Sequence, residues 1–130
     1  MAVIIKKIKL AGSKGKEEIE AIFDSGATYS CLKPELAKRL GANYKISEPI
    51  ILETAKQNEN LKVEEVIYLD FYINGYRLRD EFLIVQRISE NIIIGAATLQ
   101  KWKMKLDFEN DEVIIDPKVT KFRLLFLTTD

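Results

Sequence analysis

Apolar residues recur at every second position along most of this chain, the rhythm of half-buried strands. Residues 2–10 read as one strand, and Gly12-Ser13-Lys14-Gly15 makes a turn. Residues 17–23 then run back with Ile19, Ala21 and Phe23 on one face, so the first elements form a hairpin with one greasy side. The alternation stops at Asp24-Ser25-Gly26 and resumes briefly at Cys31 and Leu32. Residues 33–41 carry helix signals instead. Pro34 suits the first helical position, Glu35 the positive end, and Gly41 a left-handed stop, while Leu36, Ala37 and Leu40 supply a small apolar face.

Further on, residues 50–55 are extended, 56–60 are polar and turn-prone, and 61–73 are extended with Val63, Ile67, Leu69, Phe71 and Ile73 largely in phase. Asn74-Gly75 is a strong short-hairpin signal, and residues 76–85 return from it. Ile92, Ile93 and Ile94 form an apolar strand stub, Gly95 follows, and 96–102 reads as a short helix. A last hairpin turns at Asn110-Asp111, Pro117 ends it, and 122–127 is a final strand. Many short strands, two short helices and no linker predict a single all-β domain over 1–130, built by non-local pairing. The final strand presents an apolar edge that needs cover, from a partner subunit or from the same domain.

Composition narrows the chemistry. Hydrophobic residues make up 47% of the 130, which argues against disorder. Lys plus Arg equals Asp plus Glu at 20 each, so the basic excess of a nucleic-acid binder is missing. Lys6, Lys7, Lys9, Lys14 and Lys16 cluster near the start and read as a solvated strand face and loop. Residues 12–16, GSKGK, lack the spacing of a phosphate loop. With no histidine, Ser-His-Asp and Cys-His mechanisms are excluded, along with the commonest metal ligand. Cys31 is the one cysteine, so no internal disulfide or zinc cluster forms, and a buried inert thiol is the simplest reading. The lysines between residues 6 and 9 interrupt any signal peptide or membrane span, and the expected compartment is a reducing cytoplasm. No metal, cofactor, nucleic acid or membrane partner is expected.

The chemistry then rests on two stretches. Asp24-Ser25-Gly26 alone is a turn, but Ile22 and Phe23 before it and Ala27 after it place a carboxylate against apolar neighbours. A carboxylate at risk of burial is a candidate for function. Residues 91–99, NIIIGAATL, form a tightly packed corner in which Gly95 suggests close backbone approach.

Together these stretches resemble the retropepsin-like aspartic proteases. That family pairs an apolar strand and Asp-Thr/Ser-Gly-Ala, here Phe23 to Ala27, with a later hydrophobic-hydrophobic-Gly before a short helix, here Ile93, Ile94 and Gly95. Leu99 and the stretch Leu106, Asp107, Phe108 fit its later positions. The resemblance is strongest over 1–116, with 117–130 as a C-terminal strand at a dimer interface.

The resemblance implies a closed β-barrel-like domain that pairs as a two-fold homodimer. Asp24 of each copy then forms one catalytic pair that hydrolyses an extended peptide. It also implies that Ser25 hydrogen-bonds across the dimer, that Gly26 donates toward the carboxylates, that Ala27 and Thr28 support the loop, and that Ile93, Ile94 and Gly95 pack behind it. Ala55, Lys56, Gln57, Asn58, Glu59 and Asn60 stand where the family has its flap, here without glycine. Thr28, Ala96 and Ala97 stand where members of the family place charged residues, and a polar support there is either missing or supplied by Thr98. Trp102 is read as core or dimer packing. The alternative function is a catalytically weak or inactive module for peptide binding or dimerisation.

Overall fold

The structure, a computed structural model, describes residues 2–54 and 59–121. Strands β1 (Ile4–Ala11) and β2 (Lys16–Phe23) pair antiparallel from Ile4↔Phe23 to Ala11↔Lys16. Their alternation sends Ile4, Ile8, Leu10, Ala21 and Phe23 into the core, with Ile19 packed against it. After the short β3 (Cys31–Leu32) comes helix α1 (Pro34–Leu40), which buries Leu36, Ala37 and Leu40. Gly41 does not end this helix in a left-handed turn. Its φ of −175° and ψ of −168° are extended, because the chain leaves directly for the next strand.

That strand, β4 (Tyr44–Glu53), starts earlier than the sequence pattern suggests. It lies on a sheet edge and buries little, so residues 44–49 show no periodic signal. Its pairing with β5 (Asn60–Ile73) shifts register between Lys45 and Ile50, next to Pro49, which blunts the exposed edge. Strand β5 keeps the expected phase, with Val63, Ile67, Leu69, Phe71 and Ile73 all buried. Ile67, Leu69, Phe71 and Ile73 enter the main core, whereas Val63 joins a second cluster with Cys31, Leu83 and Val85. Val66, out of phase with these, is buried on the opposite face in that second cluster, so this part of the strand is covered on both sides.

Strand β6 (Tyr76–Ile84) returns through Asn74 and Gly75, whose φ values of 52° and 82° are the left-handed pair a two-residue hairpin needs. Gly75→Ala is expected to cost about 1–2 kcal/mol, read as a lower denaturant midpoint at an unchanged slope. The remaining elements are β7 (Ile92–Ile94), α2 (Ala96–Lys101), the hairpin of β8 (Lys105–Asp107) and β9 (Glu112–Ile114), and a 3-10 turn at Pro117–Val119. Trp102 and Met104 are buried in the main core. The final strand expected over 122–127 lies outside the described residues.

The sheet order is β1-β2-β7-β3-β6-β5, and β5 closes it by pairing with β1 through Lys9↔Tyr72, Leu10↔Phe71 and Ala11↔Asp70. Six strands thus form a closed barrel. β4 extends beyond it along the same edge of β5, and the β4–β5 hairpin projects from the barrel.

Candidate active site

Strand β7 is wedged between β2 and β3. It runs parallel to the first at Ile22↔Ile93 and Phe23↔Ile94, and antiparallel to the second at Cys31↔Ile93 and Leu32↔Ile92. The chain linking β2 to β3, residues 24–30, must therefore arch over the end of β7. Asp24 stands at the first step of that arch, its N–H donating to the Ile94 carbonyl at 2.9 Å. The Ala27 N–H then donates to the Asp24 carbonyl at 3.1 Å, and the Gly26 N–H to Asp24 Oδ1 at 2.8 Å. These bonds aim the carboxylate. In the single chain Asp24 is half-buried, with Ser25 and Gly26 exposed, so the burial expected from its apolar neighbours is only partial. The loop crosses the end of β7 at the chain's surface instead of passing through its core.

The start of α2 holds the arch from behind. The Ala96 N–H donates to the Ala27 carbonyl at 2.7 Å and the Ala97 N–H to the Thr28 carbonyl at 2.9 Å. A short helix begins with free N–H groups, and here two of them bond the loop that carries Asp24. Gly95 makes the approach possible: a Cβ there would stand 2.5 Å from the Tyr29 carbonyl oxygen and 2.8 Å from that of Ala27.

The two buried polar residues among those described, Ser30 at 2% and Thr98 at 1% exposure, join hydroxyl to hydroxyl at 2.5 Å. Ser30 Oγ also accepts from the Gly95 N–H at 2.9 Å. Thr98 is thus a buried polar support behind the loop. Ser30 escaped the sequence reading, because nothing in Tyr29-Ser30-Cys31 distinguishes a buried serine from a loop serine. Ser30→Ala leaves the buried Gly95 N–H without its acceptor. The expected cost is about 1–3 kcal/mol, measured by urea unfolding, with Ser30→Thr recovering part of it if the larger side chain fits.

On the other side of the loop stands the β4–β5 hairpin. Glu53 pairs with Asn60, and the Thr54 N–H and hydroxyl both donate to the Glu59 carbonyl, at 3.3 and 2.9 Å. The Arg87 guanidinium holds Glu59 Oε1 at 2.9 Å. Ala55, Lys56, Gln57 and Asn58 lie outside the described residues. Between hairpin and loop runs a groove of about 470 Å³, with Ala27, Thr28 and Tyr29 on one wall, residues Ile51, Leu52 and Glu53 of β4 on the other, and Cys31 among its lining. A second hollow, about 570 Å³, opens beside Ser25, with Leu99, Met104, Leu106 and Phe108 as its apolar lining and Gln100, Lys103 and Lys105 as its polar part.

Burial, and then the charge of Glu90, push the Cys31 thiol up to about 11 from an ordinary 9.0. The native thiol stays protonated where the unfolded one ionises, so the stability it contributes is complete below pH 9.0 and is lost as pH rises toward about 11. Iodoacetamide at pH 8 is expected to label native Cys31 far more slowly than the urea-unfolded chain, as read by mass spectrometry.

A closed barrel with a carboxylate turn arched over β7 and a projecting hairpin above it invites comparison with known proteins. The family model described as "gag-polyprotein putative aspartyl protease" matches residues 11–101. The chain belongs to this family. Its fold is the retropepsin-like fold, all-β with a closed barrel and few short helices. The retroviral protease-like domain of Ddi1 from Leishmania major superposes with a TM-score of 0.66 at 17% identity, covering 90% of this chain and 91% of that one. EIAV protease, solved with the inhibitor HBY-793, gives 0.59 at 16% identity, covering 82% of this chain and 93% of that one. At such identities the likeness is one of fold. A search of the curated proteins finds no match.

Proposed function

We propose that this retropepsin-like chain is an aspartic endopeptidase that works as a homodimer, with Asp24 of two copies forming one catalytic pair. The observation that carries the reading is the Asp24 turn. Its carboxylate is oriented by the Gly26 N–H, while Ser25 stands exposed beside a hollow of mixed lining in which Phe108 remains 48% exposed. One such turn per chain suffices if two chains meet about a two-fold axis. Membership of the family supports the same reading.

Two facing carboxylates share a single proton, because both cannot easily ionise at short range. The ionised one takes a proton from a water whose oxygen attacks the peptide carbonyl carbon. The protonated one donates to the carbonyl oxygen, forming a tetrahedral diol. Return of that proton to the carboxylate and its transfer to the amide nitrogen break the C–N bond. The Ser25 hydroxyls bond across the two-fold axis and hold the loops in register. The hairpin closes over an extended peptide and excludes bulk water. No cofactor takes part.

The test begins with the oligomeric state by sedimentation, since a strict monomer at high concentration removes the composite site. A mixed peptide library is then incubated with wild type and Asp24→Asn across about pH 3 to 7, the range in which such a pair titrates. Cleavage by wild type alone, with a bell-shaped profile, is the expected result. Peptide binding by both proteins with cleavage by neither would make the chain a peptide-binding module instead.

A further inference from the structure

We infer that Arg87 is a positioning residue that latches the β4–β5 hairpin beside the Asp24 groove, so that a peptide meets a wall already in place. This rests on the protease reading of the same site. Strand β5 pairs with β6 only from Val66↔Leu83 onward, and at its start, from Asn60 to Val63, it pairs with β4 instead. That end of the hairpin is a two-stranded ribbon, which holds its own position poorly. Its base is closed within itself by the two bonds from Thr54 to the Glu59 carbonyl. The neighbouring loop, residues 86–91, ties it to the barrel. This loop is pinned at both ends, since the Val85 N–H donates to the Leu32 carbonyl at 3.0 Å and the Lys33 N–H to the Asn91 carbonyl at 3.1 Å. From it the Arg87 guanidinium donates to Glu59 Oε1 at 2.9 Å. Beside Arg87, Ile88 packs against the second cluster, as do Leu52 and Leu61 of the hairpin.

The ion pair adds what the apolar contact lacks. Burial of Ile88, Leu52 and Leu61 is non-directional and tolerates sliding. A guanidinium N–H aimed at one carboxylate oxygen is directional and sets where Glu59 stops along the loop. Glu59 in turn is joined to the groove wall through the ladder, by Glu53↔Asn60 and Leu52↔Leu61. The Glu90 carboxylate, in the same loop as Arg87, is engaged by the Ser89 hydroxyl at 2.7 Å. The groove of about 470 Å³ stands open while the Arg87–Glu59 pair is made, so the latched hairpin is the form that receives a peptide. Release of the latch leaves part of the population with that wall displaced, and apparent affinity falls with the fraction still competent. The side chains of Arg87 and Glu59 are 68% and 35% exposed, which keeps the effect modest and sensitive to salt.

The experiment compares wild type, Glu59→Gln, Arg87→Gln, the double variant and Arg87→Lys. It measures steady-state cleavage of one peptide taken from the library, denaturant unfolding, and amide exchange of residues 50–54 and 60–63 without peptide. Each Gln variant is expected to raise KM about 3-fold with kcat held, to hasten hairpin exchange about 3-fold, and to leave the unfolding midpoint unchanged. The double variant is no worse than either single one, because the same interaction is lost once. Arg87→Lys recovers part of the loss, and in about 1 M salt wild type approaches the variants. An unchanged KM, an unchanged hairpin exchange, or additive losses in the double variant overturns the inference. So does a fall in kcat or in the unfolding midpoint in place of the rise in KM. If wild type cuts nothing, the protease reading has failed and exchange alone decides. Hairpin exchange hastened in both single variants, and no further in the double, supports the latch. Exchange equal to wild type overturns it.

Discussion

Asp24→Asn is expected to fold and associate like wild type yet to lose peptide hydrolysis by about 1,000-fold or more. The amide keeps the size of the carboxylate, and its oxygen still accepts the Gly26 N–H that orients the side chain at 2.8 Å. What it cannot do is carry the negative charge and the mobile proton that activate water. In the proposed homodimer both carboxylates change at once, because both copies carry the substitution. The measurement is single-substrate turnover at the pH optimum of wild type, with sedimentation and thermal unfolding run in parallel. Undiminished turnover in a correctly folded Asp24→Asn protein would remove Asp24 from the chemistry.

Gly95→Ala comes second in expected effect. The glycine is not there for its backbone angles, since a φ of −100° suits any residue. It is there because a Cβ would sit 2.5 Å from the Tyr29 carbonyl oxygen and 2.6 Å from its carbonyl carbon. Both are backbone atoms of the loop that carries Asp24, and they cannot swing aside as a side chain does. Either the loop lifts or α2 retreats. The overpacking is expected to cost about 1–3 kcal/mol of stability. A displacement of the loop by about an ångström is expected to cost roughly 100-fold in turnover at temperatures where the protein remains folded. Denaturant unfolding and turnover on one preparation separate the two effects. Wild-type turnover in a stable Gly95→Ala protein would mean that α2 yields without disturbing the loop.

Much of the site was legible because local chemistry announces it. An apolar strand that stops at Asp-Ser-Gly has to turn there, and three isoleucines before a glycine have to pack. Asn74-Gly75 marked its hairpin because few other pairs tolerate two left-handed residues in succession. The two strands of the β4–β5 hairpin were legible as extended runs on either side of a polar interval, of which residues 55–58 lie outside the described residues.

Less legible were the features that depend on what lies across a gap in sequence. The first half of β4 is invisible to periodicity because an edge strand buries almost nothing of its own. The burial of Val66, out of phase with the rest of β5, follows from a second core meeting that strand on its other face. Ser30 becomes a support only because Thr98 and the Gly95 N–H arrive beside it from a distant stretch.

The sequence by itself therefore determined the strand rhythm, the turn that presents Asp24, the close backbone approach at Gly95, and the family resemblance that rests on them. Those are set by residue type and short-range spacing. The tertiary structure alone decided that β7 enters between β2 and β3, that Asp24 stays half-exposed in the single chain, and that Tyr29, Cys31 and Leu52 line one groove. Each of these is a pairing between distant segments. Non-local pairing is chosen by the burial of the whole core, which no short window of sequence contains.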